Sequence, residues 1–486
     1  MMTLKELTEG LPVRGLSPEK ETVPVTHLSS DSRKVKTGSL FVALPGTTTD
    51  GARFIEDAVE RGAGIIVSST LVAPEKRRAG ILYLCTEDPG YFLRQIALRF
   101  FHNPSKDIRV IGVTGTNGKT TVTFLLEAIL HEAEHSCSVI GTVNYRIGEH
   151  ILPAQNTTPG FLDTQELLAA IRDDGVEYCL IEVSSHALDQ GRVDHVDFKV
   201  AVFTNLTSDH LDYHQTRQNY FEAKAKLFRE LSPEATAVIN ADDDYGPKLF
   251  SRTKANIITY GLHKNADVRA ADIQLELSGT TFKLITREGE MMMRTPLVGE
   301  FNISNILAAT AAALSEGIPL ERIKNGIERM RQVPGRLERM DCQEDFSVFI
   351  DYAHTQDALE HVLRAIRQTS DGRIILVFGC GGDRDRTKRP EMGYVASQLA
   401  NFSFITSDNS RSEDPQAIIE EIRAGFEGDH YRIIVDREEA IHEALNMAQK
   451  GDIVLIAGKG HEEYQIFKDR TIKFNERQII RQYLRC

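Results

Sequence analysis

The most constraining feature of the chain is a short apolar run that stops at a polar glycine turn and restarts as a helix. Val110-Ile111-Gly112-Val113 leads into Thr114-Gly115-Thr116-Asn117-Gly118-Lys119-Thr120-Thr121, and Val122, Leu125, Leu126, Ile129 and Leu130 then share one helical face. A run that is apolar throughout suits a strand covered on both faces, as in a parallel sheet. The turn has the chemistry of a phosphate cradle. Glycines let backbone N–H groups close around an anion, the helix N-terminus adds its dipole, Lys119 reaches the outer phosphates, and the Thr120 hydroxyl suits Mg²⁺. Val113 stands where the common G-x-x-x-x-G-K-[ST] pattern has its first glycine.

At about 150 residues per domain, the 486 residues suggest three domains. Residues 1–103 hold short apolar runs (Leu40-Phe41-Val42-Ala43-Leu44, Gly64-Ile65-Ile66-Val67) around a helical segment at 53–62, and read as a small α/β domain. Residues 104–333 alternate strand and helix, with strands at 178–183, 200–203 and 236–239. A peripheral antiparallel patch is expected at about 265–295 and a helix at 305–314. After Val333-Pro334-Gly335-Arg336, strands at 348–351, 374–378, 402–405 and 453–457 predict another open α/β sheet over 334–486. The net charge of −13, from 57 basic and 70 acidic residues, argues against nucleic acid as a partner. No apolar run is long enough to span a membrane, and the N-terminus lacks a signal-peptide core. Six scattered cysteines without a CxxC pair argue against zinc and against a disulfide framework. They favour a reducing cytoplasm.

Polar residues at predicted strand ends mark further sites. Glu182 closes one strand and His210 follows another; beside Thr120 they make a hard-oxygen Mg²⁺ site with an imidazole for a second cation. Asn156-Thr157-Thr158-Pro159 reads as a helix N-cap, and Lys224 and Lys226 as solvated helix lysines. Three polar loops crowd the end of the chain: residues 381–390, 407–415 and 457–462. Arg389, Arg411 and Glu462, gathered at one sheet edge, would suit a substrate carrying both carboxylate and ammonium.

Gly115-Thr116-Asn117-Gly118-Lys119-Thr120 resembles the nucleotide loop of the Mur ligases and folylpolyglutamate synthetases, and the likeness extends over all three regions. It implies a three-domain amide ligase: a small N-terminal α/β domain for a UDP-sugar, a central P-loop α/β domain for ATP, and a C-terminal Rossmann-like α/β domain for an amino acid. By the same resemblance Gly115 through Thr121, Asn302, Arg336 and Asp351 would hold ATP. Thr120, Glu182, His210 and a carbamylated Lys224 would hold two Mg²⁺ ions, with Lys119, Lys224 and His210 serving catalysis. Ser30, Ser32, Asn156, Thr157, Thr158, Ser184, Gln190 and Arg192 would hold the UDP-sugar peptide.

The family reads Arg389, Asp408, Asn409, Ser410, Arg411, Gly458 and Glu462 as the pocket of the incoming amino acid. Diaminopimelate-adding members carry Asp-Asn-Pro-Arg, and here Asp408-Asn409-Ser410-Arg411 keeps the arginine and loses the proline. The resemblance therefore implies addition of meso-diaminopimelate to UDP-MurNAc-L-Ala-D-Glu by a monomeric cytoplasmic enzyme. L-Lysine as substrate, a folylpolyglutamate synthetase and a P-loop ATPase switch are the alternatives.

Overall fold

The computed structural model describes residues 2–46, 49–148, 150–207 and 209–484. Cys486, one of the six cysteines counted above, lies outside them. Three main sheets follow one another along the chain. The first has four parallel strands, Leu28–Ser29, Leu40–Val42, Ile65–Ser68 and Leu82–Cys85. The helical segment at 53–62 is a 3-10 turn Gly51–Phe54 running into the short helix Ile55–Glu60.

The second sheet has eleven strands. Arg109–Thr114 lies at its centre, paired in parallel with Tyr178–Glu182 on one side and Phe198–Phe203 on the other. The carboxyl ends of Arg109–Thr114, Cys137–Ile140, Tyr178–Glu182 and Phe198–Phe203 therefore open onto one edge, where parallel sheets hold their ligands. Helices Lys119–Glu132 and Glu300–Ser315 bury this sheet's apolar face around Leu126, Val202 and Ile306. The antiparallel patch expected near 265–295 is present as Val268–Glu276, Gly279–Thr286 and Gly289–Thr295. It extends the same sheet, because Tyr260 and Gly261 pair with Val268 and Arg269.

The third sheet has six strands, parallel except for Glu338–Met340. The carboxyl ends of Ile374–Phe378, Phe402–Ile405 and Ile453–Ala457 carry the polar loops singled out above. A buried guanidinium ties two of those loops to the C-terminal helix Glu476–Leu484. Arg437 Nε donates to Glu476 Oε1 (2.8 Å), Nη2 to Ala457 O (2.8 Å) and Nη1 to Ser407 O (3.3 Å), and neither side chain of the ion pair is exposed. Among the described residues no helix is long and apolar enough to cross a membrane, and Cys85, Cys137, Cys179 and Cys380 are free.

Removing one partner of a fully buried ion pair leaves an uncompensated charge and costs about 3–5 kcal/mol. Arg437→Ala is expected to destabilise the chain by that much in urea unfolding; a change under about 1 kcal/mol would show that the clamp is dispensable.

Candidate active site

The phosphate-type loop is held by its neighbour strand. Thr116 N donates to Asn205 O and Asn117 N to Asn205 Oδ1, both at 2.9 Å, and Thr204 Oγ1 donates to Asn117 O at 2.6 Å. Its glycines are required. Gly115 and Gly118 have φ of 152° and 88°, and a Cβ on either would lie 1.8 Å from Thr204 Oγ1 or 2.3 Å from Asn305 Oδ1. Lys119 folds over the loop, Nζ donating to Gly115 O (2.9 Å) and Thr116 O (2.8 Å). Thr120 and Thr121 are buried in the first turn of the helix.

Glu182, 1% exposed, joins three loops. Thr120 Oγ1 donates to its Oε2 (3.0 Å), and Thr142 donates to it through both N and Oγ1 (2.9 Å each). Arg336, from the linker to the third sheet, donates through Nη2 to Thr120 Oγ1 (3.1 Å) and lies over the Tyr352 ring. Oxygen donors from three chain segments thus surround one point, a set suited to a hard divalent cation.

Lys224 is not the solvated lysine that helix spacing alone predicts. Its side chain is buried, Nζ donating to Gly115 O at 2.8 Å and lying 4.6 Å from the Tyr220 ring centre. Burial, assisted by the nearby Lys119 cation, pushes its pKa well below the usual lysine value. Lys226, two residues on, pairs with Asp194 at 2.7 Å and stays partly exposed. His210 takes a left-handed backbone (φ 53°) before the turn Leu211–His214, with its ring 4.8 Å from that of His186. Desolvation lowers its pKa, which favours the neutral imidazole.

Asn156, Thr157 and Thr158 sit beside this point. Thr157 Oγ1 is 3.1 Å from Thr142 Oγ1. Thr158 does not cap the following helix Phe161–Asp173, whose N-cap is Gly160. Its hydroxyl instead donates to Glu182 O (2.7 Å) and accepts from Ser184 N (3.0 Å). Arg192 reaches Thr158 O (3.0 Å) and Gln190 Oε1 (2.6 Å), so Ser184, Gln190 and Arg192 form one cluster with the loop. Ser30 and Ser32 lie apart in the first domain, with Ser32 buried at the start of the turn Ser32–Lys34. That turn meets the helix after Pro159 through Lys34–Asp163 at 2.6 Å.

Asn302 is buried, donating to Val298 O and accepting from Asn305 Nδ2. The Asp351 carboxylate accepts from Leu337 N (2.5 Å) and Ala353 N (2.7 Å), pinning the linker that carries Arg336. In the third domain Asn409 Nδ2 donates to Glu462 Oε2 (2.8 Å), and Arg411 Nη1 donates to Gly382 O (2.8 Å). Arg389 does not join Arg411 and Glu462 as expected. It is fully buried with its guanidinium spent on Glu413 and Glu421, so it anchors the loop from behind.

A cleft of about 1270 Å³ runs between the two larger domains. Thr142, Asn156, Thr157 and His210 line one side; Asp408, Asn409, Arg411, Gly458 and Glu462 line the other. Sequence reasoning passed over Thr142 and Asn205, and gave Asp357 no role of its own. Asp357 Oδ2 accepts from Asn117 Nδ2 (3.1 Å) and Thr207 Oγ1 (2.8 Å), joining the third domain to the loop. Thr142 could have been found by the strand-end rule that singled out Glu182, because it follows Cys137–Ile140.

Comparison with known proteins agrees with this architecture. Residues 24–101 match the model for the Mur ligase family catalytic domain, 113–313 the Mur ligase middle domain, and 335–460 the Mur ligase glutamate ligase domain. The chain is 43% identical over 466 residues, 95% of each chain, to UDP-N-acetylmuramoyl-L-alanyl-D-glutamate–2,6-diaminopimelate ligase of Syntrophomonas wolfei. A solved structure of a ligase of that name superposes with a TM-score of 0.68 at 34% identity, covering 100% of this chain and 99% of that one. The MurF ligase of Thermotoga maritima, solved with ADP, has the same fold at 21% identity and a TM-score of 0.65, covering 89% of this chain and 94% of that one. The chain belongs to the Mur ligase family.

Proposed function

We propose that the protein is the ATP-dependent ligase that joins meso-diaminopimelate to the D-Glu γ-carboxylate of UDP-MurNAc-L-Ala-D-Glu, a cytoplasmic step of peptidoglycan precursor synthesis. The observation that carries this reading is a cleft with a phosphate loop and carboxylate hub behind one wall and Arg411 and Glu462 lining the other. The relatives' names point the same way.

A carboxylate does not react with an amine until it has a leaving group. Its oxygen attacks the γ-phosphorus of ATP, the bond to the β-phosphate oxygen breaks, and ADP departs, leaving an acyl phosphate. The incoming amine then attacks the carbonyl carbon, loses a proton, and phosphate leaves. Backbone N–H groups of residues 118–121 at the helix start, Lys119 and Arg336 neutralise the charge that spreads over the transferred group. Asn302 and Asp351 shape the nucleotide end from the helix and the linker. The 156–158 loop with Ser184, Gln190 and Arg192 places the peptide, and Ser30 and Ser32 take the uridine end.

Thr120 and Glu182 would hold one Mg²⁺, and His210 with Lys224 the second; bound there, Mg²⁺ would offset phosphate charge. The low pKa of Lys224 fits this role. A neutral amine adds CO₂, forming an N–C bond and releasing one proton, which replaces a buried cation by a carboxylate-like oxygen donor. At the other wall Arg411 takes a carboxylate and Glu462 an ammonium, with Asp408, Asn409, Ser410 and Gly458 shaping the loop around them.

The direct test is mass spectrometry of the product after incubation with UDP-MurNAc-L-Ala-D-Glu, ATP and a panel of amino acids. A mass gain of one diaminopimelyl residue, with ADP and phosphate released in equal amounts, is expected; ATP hydrolysis without ligation would refute the reading.

Two variants test its parts. Lys224→Ala is expected to lower kcat at least a hundredfold, whereas Lys226→Ala, which loses a partly exposed ion pair worth about 1 kcal/mol or less, stays within about threefold. Similar mild losses in both would make Lys224 an ordinary buried lysine. Arg411→Ala is expected to raise the diaminopimelate KM about a hundredfold, matching the roughly 3 kcal/mol lost when a desolvated charge pair is broken, with the ATP KM unchanged. Kinetics with each substrate varied in turn decide this.

A further inference from the structure

We propose that Lys459 is a positioning residue for amino-acid selection, locking the Asn409 amide and the Glu462 carboxylate into one arrangement and balancing the charge of the pocket; this rests on the ligase reading. Lys459 lies on the turn after the strand Ile453–Ala457, is fully buried, and does not line the cleft itself. Its Nζ donates to Asn409 Oδ1 at 3.1 Å and to Glu462 Oε2 at 3.0 Å, with Asp408 Oδ1 4.0 Å away. All three partners line the cleft.

These bonds leave the Asn409 amide one orientation. Its Oδ1 accepts from Lys459 Nζ and from Ile466 N (3.0 Å), while Nδ2 donates to Glu462 Oε2. A flipped amide would set its NH₂ against the ammonium and the backbone N–H. Glu462 Oε2 therefore has two donors, and Oε1 is the oxygen left to receive a ligand's ammonium.

Charge gives the second half of the argument. Asp408 and Glu462 supply two negative charges at this wall, and Arg411 and Lys459 two positive ones. A balanced site matches an amino-acid end carrying both ammonium and carboxylate. Without Lys459 the site becomes net negative and matches a bare ammonium better.

The test uses the full chain with Lys459→Met and Lys459→Arg, each substrate varied separately. Lys459→Met is expected to raise the meso-diaminopimelate KM at least tenfold, leave the KM for ATP and for UDP-MurNAc-L-Ala-D-Glu within twofold, and lower the preference for diaminopimelate over L-lysine at least tenfold. Lys459→Arg keeps the charge and is expected to recover that preference to within about threefold of the parent. If Lys459→Met does not melt cooperatively, Lys459→Gln takes its place under the same criteria. An unchanged diaminopimelate KM, a parallel rise in the ATP KM, or equal losses in the neutral and Arg variants would overturn the proposal. Parent enzyme that ligates neither amino acid would overturn the ligase reading instead.

Discussion

The site depends on the cost of burying the Glu182 carboxylate. An ionised carboxylate removed from water must be met by donors or cations. Here Thr120 and Thr142 meet it, and those bonds fix the first turn after the phosphate loop and the loop after the strand Cys137–Ile140. Thr142 then reaches Thr157, while the backbone oxygen of Glu182 takes the Thr158 hydroxyl. One residue thus sets the spacing between the nucleotide loop and the 156–158 loop. On the proposed reading, the two segments that bring a phosphorus and a carboxylate together are held on the same strand end.

The third domain meets that hub through polar contacts at the loop, and packs elsewhere on Leu277, Val298 and Phe301 of the middle domain. Arg336 reaches Thr120, and Asp357 reaches Asn117 and Thr207. Asp357 brings a negative charge to a loop built for anions. A nucleotide's phosphates compete for the same donors, so this contact belongs to a domain arrangement that ligand entry and release can change. Polar interdomain contacts of this kind exchange readily with water, unlike the apolar cores on either side.

Much of this was legible in the sequence, for identifiable reasons. The strand–glycine turn–helix at 110–130 needs only local rules, and continuous apolar runs marked the parallel strands. Spacing alone does not show that Lys224 and Lys459 are buried: only the family resemblance singles out Lys224, nothing singles out Lys459, and it is the fold that places Gly115 O and Glu462 against them. Arg389 shows the converse. Its charge suggested a ligand, but Glu413 and Glu421, 24 and 32 residues further along, come back in space to occupy it. Spacing within a motif shows which residues share an edge; it does not show which of them are already paired.

The Ser410 position illustrates how tertiary bonds replace a local constraint. A proline there would fix its own φ near −65° and hold residue 409 extended. The serine does neither, yet the loop is held by its surroundings. Asn409 N donates to Asp408 Oδ1, Glu413 N to Ser410 O, and Arg411 N to Ile466 O. Gly382 lets the two loops meet, since a Cβ there would lie 2.0 Å from Ser410 O. Arg411 itself takes a left-handed backbone with φ of 49°. Its side chain is tied to Gly382 O, so the guanidinium remains at the cleft wall. Loss of the ring raises the entropy of the unfolded loop, while the bonds of the folded loop keep Arg411 where the proposed reading needs it for a carboxylate.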